Sequence, residues 1–430
     1  MQKRIIYLFV ILFSFISLQA QGQLADALKK MPQVIAFKEM KHDTMYSESY
    51  EVIFKQLLDH NNPSGPTFPQ RLIVSNVNFK NPTLLVTEGY GIWSGAPYEL
   101  SRMLNSNQIV VEHRYFNNSR PDSANFDWKY LTVAQAAADH HAVVEAFKKL
   151  YTGKWVNTGI SKGGQTTIYH SYFYPNDVDA SVPYVAPLNL AQEDPRIYHW
   201  LNTVGSDETR EKIKEFQLEV FKRYDEMMAF INNEIATDSL DMYVDAETAF
   251  EFQVLEYPFS FWQWGHKQEE IPAPNSSSPE LYKHLKKVVG LSMYTKKDVQ
   301  GLHSFFVQAY NEEGYYSYDI TDFKQYMKKL TKSASNILFV PEDAPVNYNC
   351  KVNQDVYNWV QKKANNFIFI YGGYDTWTST SVELLGLTNS VKMVKKGGSH
   401  GTRIKNFSDD EKKIIYDKLE EFLNVKVNRL

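Results

Sequence analysis

Three side-chain types in one chain order suit acyl transfer here: a serine, then an acid, then a histidine. The serine is Ser161, within Gly159-Ile160-Ser161-Lys162-Gly163-Gly164. A serine hydroxyl is a weak nucleophile near neutral pH. It needs a base to take its proton and a third group to orient that base. Gly-x-Ser-x-Gly spacing allows a turn so sharp that the hydroxyl stands clear of a strand tip. The next residue's N–H, here that of Lys162, then points where an oxyanion forms. The acid is Asp375, in Gly372-Gly373-Tyr374-Asp375, and the histidine is His400, in Gly398-Ser399-His400-Gly401. In the order Ser, Asp, His, these residues read as nucleophile (Ser161), orienter (Asp375) and base then acid (His400).

Such chemistry demands particular elements beneath it. The serine needs a strand before it and a helix after it. Residues 154–158 read as a short buried strand, and 165–174 as a helix stopped by Pro175. Residues 366–371 and 390–394 read as strands that run into the loops of Asp375 and His400. Catalytic groups project from the carboxyl ends of strands in open α/β sheets. The second oxyanion donor is expected after the strand at 83–86, in Thr87-Glu88-Gly89-Tyr90-Gly91, from Gly89 or Tyr90. Further strands are expected at 50–57, 71–74 and 108–111, with helices at 97–104 and 132–150. This alternation predicts an α/β fold with a mostly parallel sheet.

The middle of the chain changes character. Strand signals fade from 191 to 335, where helices are expected at 207–235, 280–289, 297–311 and 322–330. The block reads as a helical cap inserted into the sheet domain. The α/β pattern then returns, with a strand at 336–340, a helix at 354–363 and a C-terminal helix at 409–423. The expected organisation is a signal peptide at 1–20, core at 30–190, cap at 191–335 and core again at 336–430.

Composition sets outer limits. Charged residues are 22% and net charge is −4, which supplies no basic field for nucleic acid. A single cysteine, Cys350, excludes an intramolecular disulfide and any Cys-based metal site. His140 and His141 are adjacent and diverge around a helix, and no His-Glu-x-x-His pattern occurs. No metal and no cofactor are therefore expected. Lys3 and Arg4 precede an apolar run over 5–18 that is short for a membrane span. This pattern reads as a secretory signal, so a secreted or periplasmic protein without a membrane anchor is expected.

Several segments resemble the prolylcarboxypeptidase and dipeptidyl peptidase II family: Asp59-His60-Asn61, Phe68-Pro69-Gln70-Arg71, Thr87-Glu88-Gly89 and Glu112-His113-Arg114-Tyr115-Phe116. A closer resemblance is to bacterial prolyl tri- and tetrapeptidyl aminopeptidases, serine peptidase family 37. It rests on Ser119-Arg120-Pro121, Asp127-Trp128, the stretch from Gln135 to His141, the Ser161 turn and Tyr184-Val185-Ala186-Pro187. The resemblance implies an α/β-hydrolase fold with a helical cap, peptide substrates with a free N-terminus, and cleavage after proline. A pocket for a ring residue would suit aromatic walls, with Trp262, Trp264, Tyr374 and Trp377 available. Glu88, Glu112, Glu193 and Asp194 are candidates to hold the substrate ammonium, and Glu112 beside Arg114 is equally readable as a structural ion pair. The rival readings are an esterase or lipase on the same fold, and a non-catalytic binding protein of that fold.

Overall fold

The described residues of this computed structural model run from 22 to 429 and divide into two compact units. The expected signal segment, 1–20, lies outside the described residues. The first unit comprises 22–130, 134–183 and 409–429. Helix α1 (Gln23–Leu28) leads into strands β1 (Val34–Glu39), β2 (Glu48–Leu57) and β3 (Thr67–Asn76), which pair antiparallel in sequence. Strands β4 (Thr83–Thr87) and β5 (Asn107–Val111) are buried at every residue, as near-continuous apolar runs require of strands covered on both faces. With β6 (Trp155–Ile160) and β7 (Ala180–Tyr184), the strand order is β1-β2-β3-β5-β4-β6-β7. β4 lies between β5 and β6 and is parallel to both. Chain order therefore reverses at the β4–β6 pair. Right-handed crossovers send the connections after these two strands to opposite faces, leaving a crevice at their carboxyl ends. This is the α/β-hydrolase arrangement.

Helices α2 (Glu99–Leu104), α3 (Val133–Phe147) and α4 (Lys162–Phe173) flank this sheet. Val143, Val144 and Phe147 of α3 pack with Phe54, Leu85, Ile109 and Trp155 in one core cluster. A buried ion pair joins the same layers. Arg114, fully enclosed, donates to both oxygens of Asp139 at 2.7 Å and to the carbonyls of Leu58 and Tyr130. Burial alone would raise the Asp139 pKa, but the Arg114 charge and hydrogen bonds outweigh it and hold the carboxyl below its usual range.

The second unit comprises 131–133 and 184–408. It contains α5 (Pro195–Leu201), α6 (Asp207–Lys222), α7 (Tyr224–Thr237), α8 (Ala246–Trp264), α9 (Ser278–Val288), α10 (Lys296–Gly301) and α11 (His303–Gln308). A two-stranded ladder, β8 (Ser317–Tyr318) with β9 (Ala334–Ser335), follows, then α12 (Lys351–Lys362) and the parallel strands β10 (Ile368–Gly372) and β11 (Val391–Lys395). Tyr184 pairs in parallel with Ile370 of β10. Helix α13 (Asp409–Leu423) returns to the first unit. Among the described residues, no helix is long and apolar enough to cross a membrane.

The second unit departs from expectation in several places, among them the helix expected at 297–311, which breaks at Leu302 into α10 and α11. The helix expected at 207–235 breaks at Arg223, where φ −96° and ψ 33° leave the helical region. Its guanidinium instead donates to the carbonyls of Pro274 and Ser276. The helix expected at 322–330 is only a short turn, Lys324–Tyr326. The buried Glu251 carboxylate captures the backbone N–H groups of Lys328, Lys329 and Leu330, so these cannot bond within a helix. The strand expected at 336–340 is a 3-10 turn, Asn336–Phe339. Helix α8 was not expected at all. Nearly every residue from 248 to 262 in it is buried, so it lacks a polar stripe, and Pro258 sits in its interior. Pro258 offers no N–H to Val254, whose carbonyl accepts from the buried Gln217 side chain at 2.7 Å.

Candidate active site

In the first unit, β6 ends and α4 begins with only Ser161 between them. Ser161 takes φ 59° and ψ −125°, a conformation that non-glycine residues rarely adopt. Strain of this kind costs about 1–3 kcal/mol and persists where the surroundings enforce it. The surroundings here are tight backbone contacts. A Cβ on Gly159 would lie 2.2 Å from the Gly163 carbonyl oxygen and 2.7 Å from that of Thr87. Thr87 ties the two crevice loops together, its hydroxyl lying 3.1 Å from the Gly163 carbonyl and 2.8 Å from the Thr167 hydroxyl. Ser161 itself is partly exposed, whereas Lys162 is buried.

The loop after β4 lies against this turn. A Cβ on Gly89 would come within 2.6 Å of the Lys162 side chain and 2.7 Å of the Gly163 nitrogen. Gly89 and Lys162, two of the expected oxyanion donors, are therefore in backbone-close contact. Tyr90 follows, its carbonyl accepting from the His113 N–H and its ring meeting Phe116 edge-on.

The first-unit carboxylates separate into two kinds. Glu112 is fully buried and accepts from the Ile92 N–H, Asn117, the Ser119 hydroxyl and Arg71. Its ion-pair partner is Arg71, at 3.4 Å, and not the adjacent Arg114, which pairs with Asp139. Glu88 is partly buried and accepts from the Tyr98 hydroxyl at 2.8 Å. Its burial pushes its pKa up to about 7, with the nearby Glu112 charge adding to the rise and the Tyr98 hydrogen bond opposing it.

In the second unit, the loops after β10 and β11 bring Asp375 and His400 together. The Asp375 carboxyl is wholly enclosed, and its Oδ2 lies 2.7 Å from His400 Nδ1. Its Oδ1 accepts the Trp377 N–H at 3.2 Å. A carboxylate can only accept, so this contact assigns the ring proton to Nδ1 and leaves Nε2 free to act as a base. The end of α8 holds both loops. The Gln263 carbonyl accepts the His400 N–H at 2.8 Å, and the Phe259 carbonyl accepts the Thr376 hydroxyl at 2.9 Å. The loops also bond to each other, Tyr374 N–H to the Gly398 carbonyl at 2.7 Å. Gln263 and Thr376 were not singled out from the sequence, and Phe259 stood out only as one of the aromatic residues of the helical block. Nothing in their spacing relates α8 to either loop, and only the density of aromatic residues there marked the region.

The aromatic candidates also divide. Trp377 is buried in a cluster with Ile197, Phe259 and Tyr316. Trp262 meets the Tyr374 ring edge-on at 5.2 Å. Trp264 is 58% exposed and stands edge-to-face with the His400 ring at 5.7 Å. In the same unit, Asp194 is committed to Arg196 and to the Leu190 N–H, and Glu193 takes the Ser335 hydroxyl.

A family model described as PS-10 peptidase S37 matches residues 21–428. The chain belongs to the peptidase S37 family. It is a serine peptidase built on the α/β-hydrolase fold. A prolyl tri/tetrapeptidyl aminopeptidase of Streptomyces mobaraensis is 30% identical over 405 residues, spanning 91% of this chain and 83% of that relative. Solved structures resemble it more distantly. A proline iminopeptidase of Mycobacterium smegmatis has TM-score 0.40 at 11% identity, covering 83% of this chain and 96% of that one. A peroxisomal alpha-beta-hydrolase of Saccharomyces cerevisiae has TM-score 0.37 at 12% identity, covering 92% of each chain.

Proposed function

We propose that this serine peptidase is a secreted or periplasmic exopeptidase that releases short N-terminal peptides, cleaving after proline through a Ser161–His400–Asp375 triad. One observation carries the chemistry: the positive-φ Ser161 between β6 and α4, a strained strand-to-helix turn of the kind that holds a nucleophile's hydroxyl clear of the backbone. The specificity is carried over from the Streptomyces relative, whose name describes prolyl tri/tetrapeptidyl aminopeptidase activity.

The reaction follows from these roles. His400 Nε2 takes the Ser161 proton as Oγ attacks the carbonyl carbon of the scissile bond. The oxyanion is held by the N–H of Lys162 and by that of Gly89 or Tyr90. His400 then returns the proton to the departing amine, which leaves an acyl-serine ester. Water, deprotonated by His400, hydrolyses that ester and frees Ser161. Asp375 holds the imidazole in the required tautomer and balances its positive charge. The helices over 191–335 form the cap. Trp264, exposed beside His400, is a wall for the ring of the substrate's proline, and the buried Trp377 supports Asp375 from behind. The segment 1–20 directs export and is removed.

The test compares an alanyl-alanyl-prolyl anilide, its N-acetylated form and a p-nitrophenyl ester. Wild-type enzyme is expected to cleave the free peptide, to be labelled by a fluorophosphonate, and to lose both properties as Ser161→Ala. Retained cleavage in that variant overturns the triad. Fast ester turnover without peptide turnover makes the protein an esterase.

A further inference from the structure

A cavity of about 270 Å³ lies wholly within the second unit. Its apolar lining comes from Ile197, Leu201, Ile213, Leu255, Phe259 and Trp262, and Tyr316 and Tyr318 contribute rings. That volume is near the lower end for small-molecule sites, which start at about 300 Å³, and suits one large side chain. The charges lining it do not cancel. Arg210 pairs with Asp207, and Lys214 pairs with Asp322 at 2.6 Å. Glu211 and Asp319 also line it, and no ion pair is formed by either among the described residues; Asp319 accepts the Thr321 N–H and hydroxyl on Oδ1, at 2.9 and 2.6 Å, which leaves Oδ2 for a further donor. The lining is thus an apolar hollow with surplus negative charge.

An aminopeptidase must bind a free ammonium, and none of the carboxylates that sequence offered for this role lines the cavity. Glu112 and Asp194 are filled by backbone, hydroxyl and arginine donors. Glu193 takes the Ser335 hydroxyl, and Glu88 takes the Tyr98 hydroxyl. We propose that the cavity receives the N-terminal residue of the peptide substrate, its apolar side chain in the hollow and its ammonium against Glu211 and Asp319. This rests on the exopeptidase reading above.

The cavity wall reaches the Asp375 loop within the same unit. The Phe259 ring stacks on Tyr316 at 4.1 Å and meets Trp377 edge-on at 5.1 Å. The Phe259 carbonyl holds Thr376, and the Trp377 N–H holds Asp375. The hollow and the Asp375 loop thus share one aromatic wall, Phe259.

The experiment uses full-length enzyme and a phenylalanyl-alanyl-prolyl anilide, free and N-acetylated. Glu211→Gln with Asp319→Asn removes the surplus charge, and Ile213→Trp fills the hollow. The charge variant is expected to lose about tenfold in kcat/KM on the free peptide, the equivalent of about 1.4 kcal/mol, and nothing on the acetylated one. Ile213→Trp is expected to erase the preference for phenylalanine over glycine at the N-terminal position. Leu201→Ala, which enlarges the hollow, serves if the tryptophan variant does not fold. Fluorophosphonate labelling of Ser161 is expected to stay at the wild-type rate in all of them. Wild-type free-to-acetylated and phenylalanine-to-glycine ratios in these variants overturn the proposal. If wild-type enzyme takes the fluorophosphonate but cleaves no peptide, the exopeptidase reading fails by itself. Calorimetric binding of the free tripeptide to Ser161→Ala, with and without Ile213→Trp, then decides the cavity: equal affinities overturn it, and weaker binding to the filled form supports it.

Discussion

Replacing Asp375 by asparagine tests the acid–base pair with almost no change of shape. The carboxyl is enclosed, with one oxygen 2.7 Å from His400 Nδ1 and the other 3.2 Å from the Trp377 nitrogen. Both positions need an acceptor, and an amide supplies only one. If its oxygen keeps the Trp377 N–H, its NH2 group faces Nδ1. The imidazole must then accept at Nδ1 and carry its proton on Nε2, where it cannot take one from Ser161. The tautomer penalty measured for this exchange in a serine protease triad is about 10⁴ in kcat. At 1.36 kcal/mol per decade, that is about 5 kcal/mol of transition-state stabilisation. Folding should change far less, by about 1 kcal/mol, since one hydrogen bond is weakened without leaving a cavity. The assay pairs anilide hydrolysis with the rate of fluorophosphonate labelling, and both should fall together while the melting temperature holds. Loss in the Ser161→Ala, Asp375→Asn double variant should be no greater than in Ser161→Ala alone, because the residues act as a unit. A drop below tenfold in Asp375→Asn, with an unchanged melting temperature, refutes the tautomer reasoning.

Gly89→Ala places a methyl group against Lys162 and the Gly163 nitrogen and should displace the loop after β4, the proposed second oxyanion donor. Steady-state kinetics should show kcat down by about 10²–10³ with KM little altered. Arg114→Ala strands the Asp139 carboxylate in a buried site and should destabilise the first unit by about 3–5 kcal/mol, read by urea denaturation. Glu256 sets a pH dependence. Burial pushes this carboxyl up to about 7, against the opposing hydrogen bonds of Ser260, Tyr318 and Tyr316. A folded pKa above the unfolded one favours the protonated native state. Its contribution is therefore complete below about pH 4.5 and is lost as pH rises through 7, a swing of about 3 kcal/mol. Wild-type melting temperature should fall between pH 5 and 8 relative to Glu256→Gln, and parallel curves would refute the assignment.

The parts legible in the sequence are those with local causes. The Ser161 turn shows because a tight corner needs glycine at fixed offsets. β4, β5 and β10 show because strands covered on both faces are unbroken apolar runs. The loop of Asp375 shows because it follows such a strand, whereas that of His400 follows β11, a half-exposed strand at the end of the sheet order. Helix α8 was illegible for the opposite reason: buried on all sides, it has no polar stripe to give its period away. The charged stretch 322–330 carries a helical pattern, yet its last N–H groups are claimed by the carboxylate of Glu251, some eighty residues earlier, which no local pattern reveals. The expected pairing of Glu112 near Arg114 went astray similarly. The two lie just past β5, where the chain leaves the strand for a turn, and each found its ion partner on a different element.

The carbonyls of Phe259 and Gln263 have a practical consequence for engineering. Helical insertions on hydrolase folds invite exchange, as interchangeable substrate selectors on a constant catalytic frame. In this protein the last two turns of α8 belong to the frame: they grip the Thr376 hydroxyl and the His400 backbone. A chimera spliced at the borders of the helical block would remove the supports of the two residues proposed as acid and base. Grafts that keep α8 and vary α5, α6 and the 315–323 segment keep these supports and change the lining of the proposed substrate cavity.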